Sequence, residues 1–138
     1  MLYDYNEKKW TSWEDKVGEY LPEEGQAFSK ILVPTVDTER FSYLLKILTD
    51  IGEPVLFVGE PGTAKSVIVQ NYLANLDPEA YSVLSINFSS RTDSMEVQKN
   101  IESVTDQIRP AIWGPKGNKK LMVFVDELHM PIVDKYGT

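Results

Sequence analysis

The chain has 138 residues and no cysteine, and its 21 acidic against 14 basic side chains give a net charge of −7. That length allows one domain at most. The composition excludes a disulfide framework and a thiolate metal site, and the acidic balance disfavours general nucleic-acid binding. The single histidine, His129, forms no zinc cluster by itself. No apolar run approaches the roughly 18 residues of a membrane span. The N-terminus, MLYDYNEKKW, lacks the basic-then-apolar pattern of a signal peptide. An intracellular, reducing compartment is expected.

In chain order, residues 1–30 are polar and spotted with Tyr3, Tyr5, Trp10, Trp13, Tyr20 and Phe28, and are interrupted by Pro22 and Gly25. They read as a mostly extended connecting arm that docks by its aromatics. Residues 31–36 are a short apolar segment broken by Pro34. A helix from about Thr38 to Asp50 carries Phe41, Leu44, Leu45 and Leu48 at helical spacing, with Thr35 or Asp37 as its cap and Gly52 as its end. Val55–Val58 reads as a strand buried on both faces. A helix resumes after Gly62, with Val67, Ile68, Tyr72 and Leu73 on its apolar side. Tyr81–Phe88 reads as a second strand. Ser94–Asp106 reads as a helix, with Asp93 or Ser94 as its cap. The prolines and glycines of 109–120 predict turns or a small hairpin, with Lys116, Lys119 and Lys120 at a solvated tip. Leu121–Val125 is a third buried strand, and it ends in Asp126 and Glu127. Strands alternating with helices predict an α/β fold with a parallel sheet and right-handed crossovers.

Between the first strand and the next helix stands Gly59-Glu60-Pro61-Gly62-Thr63-Ala64-Lys65-Ser66. This run resembles the Walker A loop, G-x-x-x-x-G-K-[ST]. Gly59 and Gly62 permit backbone angles that side chains forbid, so the loop amides can form a nest for phosphate oxygens. The following helix adds its positive end. Lys65 supplies charge for the β- and γ-phosphates, and Ser66 a hydroxyl for Mg²⁺. Ala64 stands where the consensus has glycine. Its place at the helix start predicts helical angles, at which alanine costs little.

The strand ending in Asp126-Glu127 is the Walker B arrangement, and it lies about 60 residues further on. At the carboxyl end of a buried strand, Asp126 would hold Mg²⁺ and Glu127 would orient the attacking water. Leu32, Val33 and Pro34 are candidates for apolar contact with a base, or for plain core packing. Asn87, Ser89, Ser90 and Arg91 could border the γ-phosphate or only lead into the next helix.

The runs ILVPTVDTERFSYLL, PVLFVGEPGTAKSVIVQNYL, NFSSRTDSMEVQKNIE and GPKGNKKLMVFVDELHMPIVDKYGT resemble dynein heavy chains of the axonemal type. The likeness is to the third of their six AAA+ modules, and it runs from Ile31 onward. Trp10 and Trp13 fit the linking segment before that module. Residues 31–138 would then be a partial nucleotide-binding core, from Walker A to just past Walker B.

The resemblance implies a three-layer P-loop fold with strand order 5-1-4-3-2, of which strands 1, 2 and 3 are expected here. The fourth strand, sensors, helical lid and arginine finger are expected to be absent, leaving open strand edges and marginal stability. The implied function is ATP or ADP binding with Mg²⁺, and in the full ring slow, regulatory hydrolysis. Implied partners are the neighbouring AAA+ modules, microtubules through the full motor, and intermediate and light chains, but no nucleic acid or membrane. The implied place is the cytoskeleton of the cilium or flagellum. Two other readings stay open: a module that binds nucleotide without turnover, and an unrelated P-loop ATPase or kinase-like enzyme.

Overall fold

The computed structural model describes residues 1–5, 7–19 and 33–133. The chain divides into two units, Met1–Ala74 and Asn75–Thr138. Among the described residues, no helix is long and apolar enough to cross a membrane.

The first unit opens with a hairpin. Strands β1 (Leu2–Asp4) and β2 (Lys9–Thr11) pair antiparallel, with Tyr3 opposite Trp10. The Tyr3 ring meets Tyr5 and Trp10 edge-on at 5.1 and 5.3 Å. So Leu2–Thr11 folds on itself rather than running as one extended arm, because the cross-strand aromatic pair rewards the turn. Trp13 does dock, against Tyr43 at 5.5 Å. Tyr20, Pro22, Gly25 and Phe28 lie outside the described residues.

Helix α1 spans Val36–Asp50 and starts two residues before the expected Thr38. Thr35 is its cap, and Asp37 is not. The Thr38 amide donates to Thr35 Oγ1 at 3.2 Å, and the Thr35 amide donates to Thr38 Oγ1 at 2.8 Å. This reciprocal pair satisfies two donors that a helix start leaves open. At the other end Gly52 turns left-handed (φ 81°), Glu53 N–H reaches Leu48 O at 2.9 Å and Gly52 N–H reaches Thr49 O at 3.1 Å. That is a Schellman stop, which needs the glycine. Thr35→Ala is expected to destabilise the chain by about 1 kcal/mol, and Thr35→Gly by only a few tenths, in urea unfolding.

Helix α2 (Lys65–Ala74) packs on α1 through Leu45, Ile68 and Val69, and Thr49 Oγ1 and Tyr72 Oη lie 2.6 Å apart across the contact. Ile68 and Tyr72 serve the face the spacing indicated. Phe41 and Leu44 of α1 remain about half exposed, and Phe41 instead meets Phe57 edge-on at 6.0 Å.

Val55–Val58 is not a strand: it pairs with no ladder among the described residues. Leu56 is 70% and Val58 85% exposed. A strand buried on both faces draws its hydrogen bonds from neighbours on both sides. In the order 5-1-4-3-2 that the resemblance implies, strands 5 and 4 would lie there, and no described residue pairs with Val55–Val58. The apolar pattern is present without the partners that make it a strand.

In the second unit, β3 (Tyr81–Asn87) and β6 (Lys120–Asp126) pair parallel, in a register that sets Asn87 beside Asp126. This adjacency is the one expected of strands 2 and 3. Ile86 is buried, but neither strand is buried along its whole length.

Helix α3 (Ser94–Ser103) is capped by Asp93, whose Oδ1 accepts from Glu96 N–H at 2.7 Å. It stops three residues short of the expected Asp106, because Thr105 begins β4 (Thr105–Arg109). That strand pairs antiparallel with β5 (Ile112–Pro115). The β-branched Thr105 is buried, with Oγ1 donating to Ile101 O at 3.0 Å, so the helix end is closed by a strand residue.

The hairpin therefore begins earlier than the prolines suggested, and the lysines are not at its tip. Lys116 Nζ donates to Ser103 O at 2.7 Å and Lys119 Nζ to Pro78 O at 2.7 Å. A lysine on the last carbonyls of a helix answers its negative end.

Candidate nucleotide site

The predicted phosphate loop lies wholly in the first unit, and α2 begins at Lys65 as the motif requires. Gly62 adopts φ 80°, a conformation that favours glycine. Gly59 has no positive φ. An added Cβ there would meet Thr63 Oγ1 at 3.7 Å and Lys65 Cδ at 3.9 Å, both ordinary contact distances on the inner side of the loop.

Ala64 departs from the expectation: its φ is 61°, left-handed rather than helical. The cause is position. Ile68 N–H donates to Ala64 O at 2.9 Å, so Ala64 accepts the first bond of α2 while itself standing outside the helix. An alanine in that region is strained by about 1–2 kcal/mol. Ala64→Gly is expected to stabilise the chain by a net 0.5–1 kcal/mol or about that, after the extra freedom it gives the unfolded chain, read as a higher urea midpoint.

Lys65 folds back over the loop. Its Nζ donates to Gly59 O at 2.9 Å, Glu60 O at 2.5 Å and Thr63 Oγ1 at 3.1 Å. Thr63 Oγ1 in turn donates to Glu60 O at 2.8 Å. Nothing in the motif pattern singles out Thr63; its role follows from the turn that brings positions 60, 63 and 65 together. Ser66 is half-buried in the first turn of α2, and Pro61 and Gly62 form the exposed tip of the loop.

Beside the loop is a cavity of about 480 Å³ whose walls include Val33, Thr38, Phe41, Thr63, Ala64 and Val67. Val33, predicted to touch a base, is on this wall; Pro34 is not, and Leu32 lies outside the described residues. The wall is held by one hydroxyl, because Thr38 Oγ1 also lies 3.3 Å from Val33 O. Thr38 and Phe41 were not anticipated as wall residues, although the T-x-x-T spacing was a readable signal for the Thr35–Thr38 pair.

The acidic pair lies in the second unit. Asp126 ends β6, and Glu127 N–H donates to its Oδ1 at 3.1 Å. Glu127 is left-handed (φ 55°), and Met130 N–H closes a turn on Glu127 O at 2.9 Å. His129 Nδ1 lies 3.6 Å from Glu127 Oε2, with both side chains more than half exposed. Asn87 stands beside Asp126 across the ladder. Ser89 and Thr92 knit a local turn, with Ser89 N–H donating to Thr92 Oγ1 at 2.9 Å, and lead into the Asp93 cap. No cluster of three or more His, Asp or Glu suited to a metal occurs among the described residues.

The profile of the family described as "P-loop containing dynein motor region" matches residues 20–138. The chain is 50% identical over 136 residues to the dynein-1-alpha heavy chain of the flagellar inner arm I1 complex of Chlamydomonas reinhardtii, covering 99% of this chain and 3% of that one. It is 43% identical over 141 residues to human dynein axonemal heavy chain 10, covering 99% and 3%. It is 37% identical over 141 residues to rat dynein axonemal heavy chain 5, covering 99% and 4%. The chain thus spans about 3% of the length of the first two of these relatives. With an α/β fold, a lysine-closed glycine loop opening a helix and two carboxylates ending a parallel strand, the chain belongs to the family of P-loop containing dynein motor regions.

Proposed function

We propose that this chain is the nucleotide-binding part of the third AAA+ module of an axonemal dynein heavy chain, and that the module hydrolyses ATP slowly as a regulatory gate. The observation that carries this reading is the Gly59–Ser66 loop, closed by Lys65 and bordered by a cavity roomy enough for a base. The positive φ at Gly62 and the start of α2 fit a string of phosphates.

In this reading residues 1–30 connect and residues 31–138 form the partial core. Glu60, Gly62, Thr63 and Ala64 would offer backbone N–H groups to phosphate, Pro61, which has none, would shape the loop, and Val33 would flank the base. Lys65 would carry the charge contact. Ser66 and Asp126 would hold Mg²⁺, which when bound neutralises phosphate charge. Glu127 would take a proton from, or orient, the attacking water. Microtubules, neighbouring AAA+ modules, and intermediate and light chains would be met by the longer motor, in the cilium or flagellum. The names of the relatives support that setting.

A second reading, binding without turnover, is favoured by one feature. Glu127 stands in a left-handed turn with its Oε2 3.6 Å from His129 Nδ1, so the resting carboxylate lies along its own turn.

Calorimetric titration of the chain with Mg·ATP and Mg·ADP tests the first reading. Saturable one-to-one binding of both is expected. A folded chain that takes up neither would sink the assignment of the loop.

A further inference from the structure

Every proton of the Lys65 ammonium already has an acceptor. The group has three donors, and they go to Gly59 O, Glu60 O and Thr63 Oγ1. None is left for a phosphate oxygen, so one of these bonds must be exchanged when phosphate arrives. The three acceptors are not equivalent. Two are backbone carbonyls of the loop, which the fold of the loop holds in place. The third is a side-chain hydroxyl that turns about one bond. Thr63 gives its only proton to Glu60 O at 2.8 Å, and that donation aims its oxygen at Lys65 as an acceptor. Thr63 is exposed and also lines the adjoining cavity, which leaves its side chain room to turn.

We propose that the Thr63 hydroxyl is the acceptor that an incoming phosphate oxygen displaces from Lys65, and that Thr63 thereby sets the affinity of this loop for phosphate. The proposal rests on the reading of Gly59–Ser66 as a phosphate site. The exchange trades a neutral acceptor for an anionic one, and charge-assisted bonds are about twice as strong as neutral ones. Removing the hydroxyl leaves Lys65 oriented by the two carbonyls but with one free proton. Thr63 is a positioning residue that competes with the ligand, so its loss tightens binding.

The test uses this chain as wild type and as Thr63→Val, Thr63→Ala and Thr63→Ser, each checked by thermal melting. Without nucleotide, acylation of Lys65 by an amine-reactive ester is followed by mass spectrometry. Mg·pyrophosphate binding is then measured by calorimetry. Thr63→Val and Thr63→Ala are expected to react roughly fivefold faster at Lys65 and to bind Mg·pyrophosphate roughly fivefold tighter, while Thr63→Ser, which keeps the hydroxyl, reverts to slow reaction. Unchanged reactivity, or unchanged or weaker pyrophosphate binding in both variants while the wild type binds, overturns the role of Thr63 alone. A folded wild type that binds neither pyrophosphate nor Mg·ADP removes the phosphate-site reading itself, and the proposal with it.

Discussion

In a longer motor carrying this module, Glu127→Gln is expected to lower hydrolysis at this site by about 100-fold or more, with Mg·ATP binding nearly intact. A positioned general base contributes roughly 10²–10⁴-fold. Glutamine keeps the size and can still accept a hydrogen bond, but it cannot take a proton at neutral pH. Nothing in the fold should fail: Glu127 is exposed, and its backbone contacts, the amide to Asp126 Oδ1 and the carbonyl from Met130, do not involve the side chain. Single-turnover measurement with the other nucleotide sites disabled reads the effect. Unchanged turnover would contradict the role given to Glu127, and a wild type that binds Mg·ATP with no turnover at this site would favour the binding-only reading.

Lys65→Ala carries the second large effect, a loss of about 100-fold in Mg·ADP affinity. A hydrogen bond to a charged group contributes about 1.5–3 kcal/mol, and each 1.4 kcal/mol is tenfold, so one strong contact with its charge reaches that size. The substitution also frees the Gly59 and Glu60 carbonyls and the Thr63 hydroxyl. All are at exposed positions and can turn to water, so the melting temperature should move little. Calorimetry beside a thermal melt separates the two: lost binding with an unchanged melt is expected. An unchanged affinity would contradict the charge role of Lys65.

These predictions rest on residues whose places in the chain's local structure were legible in the sequence. The glycine–lysine loop, the strand ending in two carboxylates, the Gly52 stop and the Asp93 cap were legible because each is local, set by a few neighbours and one backbone conformation. What was hidden depended on distant partners. Val55–Val58 has the composition of a central strand but pairs with none among the described residues, since a ladder needs neighbours that no pattern within the segment can reveal. Helix α3 carries its apolar spacing up to Val104, yet Thr105 leaves the helix and begins a hairpin, where it pairs with Pro115. Ala64 was misread for a subtler reason. A residue adjoining a helix is easily counted within it, while the capping position just outside does not take helical angles, and here it is left-handed at a cost in strain. Thr63 and Thr38 act through hydroxyls whose partners become near only once the turns have formed.

Amide hydrogen exchange of this chain with and without saturating Mg·ADP tests the central claim most directly. If Gly59–Ser66 holds the phosphates, the amides from Gly62 through the first turn of α2 slow on binding, and those of the β1–β2 and β4–β5 hairpins do not change. Protection confined to either hairpin, with the loop unchanged, would contradict the account.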